Sequence, residues 1–204
     1  MTNGFLTKAY SARDTSETRA LYDEWSGSYE AEVAQNGYAT PRRCAEALVG
    51  FSSDMTAPVL DFGCGTGLSG LALKLVGFRV IDGIDISPQM LAQAREKNVY
   101  RRLSRIEPGA ALPGQPGAYS AVCAIGVIGA GAAPISVFHD LMTHLGSGGL
   151  CVLSLNDHAL ADPQNEATLS EWLDCGAARM LFREHGAHLP GIDLKATVYV
   201  IEKT

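Results

Sequence analysis

The sequence lacks an excess of positive charge. Among its 204 residues, 16 lysines and arginines stand against 22 aspartates and glutamates, which leaves a net charge of −6. Proteins that hold a phosphate backbone usually carry a basic patch or stripe, and their overall charge often reflects it. The composition therefore argues against nucleic acid as a partner.

Paired cysteines and clustered histidines are also missing. The five cysteines form no C-x-x-C pair, so we expect neither a zinc ribbon nor a disulfide scaffold, but buried thiols in a reducing, cytoplasmic setting. His139 and His144 are five residues apart, about 140° around a helix, which is too far for joint chelation. We therefore expect no metal site.

A membrane-directed segment is not expected either. The chain opens with a short, mixed and polar stretch instead of a basic and then apolar leader. Residues 117–139 carry no formal charge, but Gly126, Gly129, Gly131 and Pro134 interrupt them. The run is more typical of a buried strand followed by a glycine-rich loop than of a membrane span.

Hydrophobic residues make up 47% of the chain, which is enough for a sizeable core. After two helical segments, the pattern from residue 58 onward alternates short apolar runs with helices. The runs predict strands over 58–62, 79–84, 103–107, 119–125, 150–155, 180–183 and 196–201. Such alternation predicts an α/β fold with a mostly parallel sheet and helices on both faces. In these sheets, ligands bind at the carboxyl ends of the strands.

The strongest chemical signal is a glycine-rich turn after the first strand. Gly63, Gly65 and Gly67 alternate there, which lets a ligand approach the backbone and favours a negative group at the following helix. The run from Gly65 also fits the dinucleotide pattern G-x-G-x-x-G, with Asp85 20 residues further on. Asp61, inside the strand, argues against that reading because a buried acid is costly without a partner.

These residues resemble the class I S-adenosylmethionine-dependent methyltransferases. The resemblance rests on Asp61-x-Gly63-x-Gly65-x-Gly67 and on Gly83-Ile-Asp85-Ile-Ser-Pro-Gln-Met90. The run Arg95-Glu-Lys-Asn-Val-Tyr100 is similar to a small bacterial branch near the Williams–Beuren-region and TPR-associated methyltransferases. The family implies a Rossmann-like sandwich with a seven-stranded, mostly parallel sheet. It also implies an N-terminal helical lid over residues 1–54 and a methyltransferase core over residues 55–204.

The resemblance further implies S-adenosylmethionine as cofactor and a set of residues that hold it. The glycine loop would pass under its methionine portion, Asp85 would accept the ribose hydroxyls, and Ile86 and Met90 would flank adenine. Glu107 would replace the acid that often touches the adenine amine, unless backbone alone holds the base. The predicted cofactor-binding residues are Asp61, Gly63, Cys64, Gly65, Gly67, Asp85, Ile86, Met90, Glu107, Tyr29 and Trp25.

Methyl transfer mainly requires that a nucleophile be aligned with the methyl group, so a proton-transfer residue is optional. His158, after the fifth strand, and Tyr22, on the first helix, are the candidate catalytic residues. Tyr22, Trp25 and Tyr29 share one helical face, which fits either a lid over the cofactor or ordinary packing.

The predicted activity is thus methyl transfer to a small-molecule acceptor, with neither nucleic acid nor membrane as partner. Two alternatives stay open at this point. One is an NAD(P)-dependent oxidoreductase, and the other is a protein that binds S-adenosylmethionine without catalysis.

Overall fold

The computed structural model describes residues 15–129 and 132–204. Its helices are α1 (Thr15–Gln35), α2 (Thr40–Val49), α3 (Leu68–Leu75), α4 (Pro88–Glu96), α5 (Val137–His144), α6 (Asp157–Leu160) and α7 (Pro163–Asp174). Its strands are β1 (Val59–Phe62), β2 (Ile81–Asp85), β3 (Arg102–Arg105), β4 (Ala121–Ala124), β5 (Leu150–Asn156), β6 (Ala178–Leu189) and β7 (Leu194–Lys203). A single 3₁₀ turn, Pro190–Ile192, connects the last two strands.

The seven strands form one sheet in the order β3-β2-β1-β4-β5-β7-β6. Strands β1 to β5 pair in parallel, and β7 runs antiparallel to both β5 and β6. The chain builds outward from β1 on one side and from β4 on the other. The crevice at the carboxyl ends of these two strands is therefore the topological switch point, where ligands bind in such folds. The predicted fold class is confirmed.

Alternating strand residues divide the core between the two faces of the sheet. On one face, Val59 and its neighbours pack against α2 and α3 through Leu48 and Leu73. On the other face, Leu60 and its neighbours pack against α5 and α7 through Phe138 and Leu169. Both faces are covered by helices, which explains why the central strands read as continuous apolar runs.

The largest difference from the predicted elements is in β6. The sequence predicts a strand only over 180–183, whereas the strand extends over Ala178–Leu189. Its middle contains exposed polar residues, among them Arg183 and Glu184, because β6 is the outer strand of the sheet. An edge strand faces water along much of its length and so lacks the apolar pattern that identifies buried strands.

The two N-terminal helices attach to the rest of the fold differently. Helix α2 contributes Cys44, Ala45 and Leu48, all fully buried, to the core of the sheet. Helix α1 lies beside α4 and contacts it through polar groups. The division into a lid, residues 1–54, and a core, residues 55–204, stays a prediction, and residues 1–14 lie outside the described part.

Within the described ranges, no helix is long and apolar enough to cross a membrane. The uncharged run 117–139 contains strand β4 and the first turn of α5, as expected for a buried strand followed by a loop. Gly131 of that run lies outside the described residues.

Candidate functional site

A cavity of about 340 Å³ opens at the carboxyl ends of β1, β2, β3 and β4. It therefore occupies the switch point of the sheet. Its walls come from the loops after these strands, from the starts of α3, α4 and α5, and from α1. Nine of the predicted site residues line it: Tyr22, Tyr29, Gly63, Cys64, Gly65, Asp85, Ile86, Met90 and Glu107.

The glycine loop between β1 and α3 forms the floor of the cavity. Gly63 and Gly65 have φ angles of 66° and 53°, which side-chain-bearing residues rarely adopt. A Cβ atom on Gly63 would lie 2.2 Å from the side chain of Val127. On Gly65, by contrast, it would meet no described atom within 4 Å, because this residue borders the cavity. The loop thus exposes bare backbone to a ligand, as the sequence predicts.

Gly67 has a different role in the same loop. It is the N-cap of α3 with a φ of 94°, and it does not line the cavity. Its amide donates a hydrogen bond to the carbonyl of Cys64 at 2.8 Å, which closes the turn. Gly67 therefore stabilises the turn of the loop without facing the cavity.

Asp85 is held at the end of β2 by two backbone amides. The Gly65 amide donates to its Oδ2 atom and the Ser87 amide donates to its Oδ1 atom, both at 2.8 Å. Burial raises the pKa of this carboxyl group, while the backbone hydrogen bonds act in the opposite direction. Each carboxylate oxygen has more than one lone pair, so the group can still accept hydrogen bonds from a ligand in the cavity.

Asp61 lies behind the cavity floor, fully buried at the end of β1. Its Oδ2 atom accepts hydrogen bonds from Ser69 Oγ at 2.6 Å and from the Tyr100 hydroxyl group at 2.7 Å. Burial raises its pKa to about 6, and the two hydroxyl groups oppose that rise. Its Oδ1 atom is buried and has no hydrogen-bond partner among the described residues.

Tyr100 explains a glycine that the sequence pattern assigns to a dinucleotide. The Gly70 amide donates to the Tyr100 hydroxyl oxygen at 3.1 Å, and a Cβ atom on Gly70 would lie 2.3 Å from that oxygen. Gly70 is thus needed to admit the tyrosine. The close packing of Tyr100 therefore accounts for the third glycine of the G-x-G-x-x-G match, and no dinucleotide is needed to explain it.

The aromatic residues of α1 form a stack beside the cavity. Tyr22 and Tyr29 line the cavity, whereas Trp25 is 2% exposed and does not. The Trp25 ring lies 5.7 Å from the Tyr22 ring and 4.9 Å from the Tyr29 ring, measured between centroids. Tyr22 and Tyr29 are therefore placed as the lid interpretation requires, whereas Trp25 is placed as a packing residue.

The residues predicted to contact adenine line the cavity, whereas the catalytic candidate His158 does not. Met90 is 1% exposed and Ile86 is half-buried, and both line the cavity. Glu107 is exposed at the rim, where it pairs with Arg105 and lies 3.9 Å from Arg19 of α1. His158 is exposed on α6 and is not among the lining residues, so its catalytic role stays a prediction without support from position.

Sequence reasoning missed several lining residues. Tyr38 follows α1, and its hydroxyl oxygen would lie 2.3 Å from a Cβ atom on Gly126, at the end of β4. Thr66 is buried, lines the cavity, and has an Oγ1 atom without a partner among the described residues. Neither residue belongs to a motif: Tyr38 lies between two helices, and Thr66 is the unspecified position between Gly65 and Gly67.

A metal centre is not evident in this arrangement. Across residues 15–129 and 132–204, no three histidine, cysteine, aspartate or glutamate side chains are grouped so that they could hold a metal ion. All five cysteines are free, and four of them are buried.

Residues 37–197 match the family described as "Methyltransferase domain". This match covers most of the chain. The chain belongs to the methyltransferase family. The predicted resemblance to class I S-adenosylmethionine-dependent methyltransferases is confirmed, with that enzyme class and its cofactor. Membership also decides against the nicotinamide alternative.

The relatives differ in the acceptors that their names state. Methyltransferase-like protein 27 of Homo sapiens is 32% identical over 71% of this chain and 60% of its own length. The 18S rRNA (guanine-N(7))-methyltransferase of Bos taurus is 32% identical over 56% of the chain and 38% of its own length. The ribosomal protein L11 methyltransferase of Methylococcus capsulatus is 42% identical over 26% of the chain and 20% of its own length.

These matches cover 60% of the relatives' length or less. They nevertheless contradict one prediction. A small-molecule acceptor without nucleic acid was expected from the acidic net charge, but relatives named for ribosomal RNA or a ribosomal protein overturn that expectation. The error has a physical cause, because net charge averages the whole surface and does not report the area beside a cleft.

Solved structures show the fold. A chain from a complex with the Haloferax volcanii Trm112 methyltransferase activator superposes with a TM-score of 0.65 at 16% identity. The superposition covers 90% of this chain and 96% of that one.

The cavity residues fit S-adenosylmethionine. Gly65 has no described atom beside its Cβ position, so the main chain is open to a ligand there. The Asp85 carboxylate stands at the cavity wall, where a diol can donate to it. The buried Asp61 supplies negative charge behind the floor, which suits a ligand that carries positive charge.

Proposed function

We propose that this protein transfers a methyl group from S-adenosylmethionine to a macromolecular acceptor, within the cavity at the switch point of the sheet. The observation that carries the proposal is the placement of Asp85. Its carboxylate is fixed by the amides of Gly65 and Ser87 and still lines the cavity. Such a group is arranged in advance to receive the two hydroxyl groups of a ribose.

The other predicted residues receive roles around that carboxylate. The backbone of Gly63, Cys64 and Gly65 would lie along the methionine portion, supported by Gly67 from below and by the charge of Asp61 from behind. Ile86 and Met90 would flank adenine, and Glu107 would reach its amine from the rim. S-adenosylmethionine supplies a methyl group on a positively charged sulfur. The protein therefore mainly aligns the acceptor and excludes water.

Helix α1 is proposed as the moving part of the predicted lid. Tyr22 and Tyr29 of α1 line the cavity, and Trp25 packs between their rings. Tyr22 is also the candidate catalytic contact whose position supports it, whereas His158 lies outside the lining. The four buried free thiols support a reducing, cytoplasmic location.

We propose a base of ribosomal RNA as the acceptor. Two observations support this choice over a protein side chain. The match to the rRNA methyltransferase covers 56% of the chain, against 26% for the ribosomal protein enzyme. In addition, Tyr22, Tyr29 and Tyr38 all line the cavity, and aromatic rings are the surfaces on which unstacked bases are held.

Ligand binding tests the cofactor half of the proposal. Calorimetry with S-adenosylhomocysteine should show binding that Asp85→Asn weakens at least about tenfold, because a charge-assisted hydrogen bond to the ribose is lost. The matched control is Asp174→Asn, an exposed aspartate that does not line the cavity and should leave the affinity unchanged. Binding of NADH instead of the sulfur nucleosides would refute the proposal.

Transfer of a labelled methyl group tests the acceptor half. The protein is incubated with S-adenosylmethionine carrying a tritiated methyl group and with ribosomal subunits, purified ribosomal RNA or ribosomal proteins. We expect label in the RNA. Label confined to protein would overturn the choice of a base, and label in neither would overturn the macromolecular acceptor.

A further inference from the structure

Tyr100, which precedes β3, fills a slot made by three glycines. A Cβ atom on Gly70 would lie 2.3 Å from both Cζ and the hydroxyl oxygen of Tyr100. On Gly83 the same atom would lie 2.9 Å from Cε1, and on Gly67 it would lie 3.1 Å from Cε2. The absence of a side chain at these three positions therefore leaves room for the Tyr100 ring. Because the ring is enclosed so closely, it has little freedom to move.

The hydroxyl group of this ring joins two parts of the glycine loop. It donates to Asp61 Oδ2 at the end of β1 and accepts from the Gly70 amide in the first turn of α3. The loop of residues 63–67 runs between these two points. Ser69 also donates to Asp61 Oδ2 and lines the cavity itself. The network thus extends from Tyr100, through Asp61, to the cavity wall.

The negative charge of Asp61 is stabilised by the hydroxyl groups of Ser69 and Tyr100. The other ionisable groups that face Asp61 do not stabilise this charge. Asp85, on β2, adds negative potential. Cys44 on α2, Cys64 in the loop and Cys123 on β4 all interact electrostatically with Asp61. Burial raises the pKa of each of these thiols, to about 12 for Cys44, so they remain neutral near pH 7.

We propose that Tyr100 is a positioning residue of the cofactor site, which holds the Asp61 carboxylate and the start of α3 together so that the glycine loop keeps its binding shape. The inference rests on the proposed function. Tyr100 does not line the cavity, so it acts through Asp61 and the loop. The second oxygen of Asp61, Oδ1, is buried and has no partner among the described residues. Because Asp61 does not line the cavity, its carboxylate acts on the ligand through its charge behind the loop.

Tyr100→Phe tests this role, because it keeps the ring in its slot and removes only the hydroxyl group. Calorimetry with S-adenosylhomocysteine should show about tenfold weaker binding than in the wild type, since a hydrogen bond to a charged group is lost. The matched control is Tyr119→Phe. Tyr119 is another buried tyrosine that donates to a carboxylate, Asp82 at 3.0 Å, but it does not line the cavity or touch the loop.

The pH profile separates positioning from simple stability. Binding of S-adenosylhomocysteine, which carries an ammonium group, should strengthen as Asp61 ionises near pH 6. Loss of the Tyr100 hydroxyl group raises the pKa of Asp61 further, so the midpoint of that profile should move up by about one pH unit. A tyrosine that only stabilises the fold would lower the melting temperature and leave the midpoint in place.

Gly70→Ala provides a second route should Tyr100→Phe fail to fold. The added methyl group displaces the tyrosine hydroxyl group without removing it, while alanine favours the helix. Its affinity should fall as in Tyr100→Phe. If wild-type protein binds S-adenosylhomocysteine and either folded variant binds it equally well with the same pH midpoint, the inference is wrong. If the wild type itself does not bind, the proposed function fails instead.

Discussion

Helices α1 and α2 are neighbours in the chain, yet they are attached to the sheet by different interactions. Helix α2 places Cys44, Ala45 and Leu48 in the core at 0% exposure. Helix α1 meets α4 mainly through polar contacts: Asp23 with Ser87, Ser26 with Gln93, and Glu30 with Lys97. Burial of apolar side chains contributes more free energy than half-exposed polar pairs.

The difference suits the two helices to different tasks. Helix α2 must stay in place, because its removal would uncover one face of the sheet. Helix α1 lines the cavity with Tyr22 and Tyr29. Helix α1 buries two large apolar side chains, Trp25 at 2% and Val33 at 3% exposure, but its contacts with α4 are polar, so we expect it to open locally more readily than α2. Three substitutions test this contrast.

The largest effect is expected from Leu48→Ala in α2. Removing a fully buried leucine side chain leaves a cavity and should lower the free energy of unfolding by about 2 to 5 kcal/mol. At this chain length, that corresponds to a fall in melting temperature of roughly 4 to 20 °C. The control is Leu75→Ala on α3, where the side chain is 79% exposed and the melting temperature should barely change. Equal effects at the two positions would contradict the role of α2 in the core.

A somewhat smaller effect is expected from acidification, because α2 begins at a buried histidine contact. The Thr40 hydroxyl group lies 2.7 Å from His188 Nδ1, and burial lowers the pKa of His188 to about 4. The unfolded chain, with a histidine pKa near 6.5, binds more protons in this window. The stability contributed by neutral His188 is therefore complete above about pH 6.5, is lost progressively as the pH falls from there toward 4, and changes little below that.

Urea unfolding of wild type and His188→Gln at pH 7 and pH 4 measures this contribution. The stability advantage of the wild type should shrink by about 3 kcal/mol between the two pH values. Asp61 titrates with the opposite sign, because its pKa is raised to about 6, but it is common to both proteins and cancels in the comparison. An advantage that stays constant with pH would show that His188 has the same pKa in the fold as in the unfolded chain.

The sequence located those cavity positions that lie at the ends of single strands, and their roles toward a cofactor stay predictions. Gly63, Gly65 and Asp85 were found because the turn after a strand must use particular residues at fixed spacing. Tyr100 was missed because its partners, Gly70 and Asp61, are 30 and 39 residues away and meet it only after β1, β2 and β3 pair. No local periodicity records such a contact.

Pairing of elements also explains the other differences. The sequence predicted all seven strands. For β6, however, it predicted only the four residues 180–183, because the exposed middle of this strand lacks an apolar pattern. The acceptor was predicted wrongly because a net charge of −6 describes the whole surface and not the cleft. What the sequence shows directly is therefore local geometry, while partners depend on surfaces that several elements build together.

The smallest effect on global stability is expected from Glu30→Gln, which removes the ion pair between α1 and α4. Exposed and half-exposed pairs contribute up to about 1 kcal/mol, so the melting temperature should move by no more than roughly 4 °C. Amide hydrogen exchange in α1 should nevertheless become faster, and S-adenosylhomocysteine should slow it again because Tyr22 and Tyr29 line the cavity. The control is Glu46→Gln, which breaks an exposed pair with Arg42 within α2 and should leave exchange in both helices unchanged. If exchange in α1 stays at the wild-type rate, or if the whole protein loses as much stability as Leu48→Ala, α1 is part of the rigid core and the contrast between the helices is false.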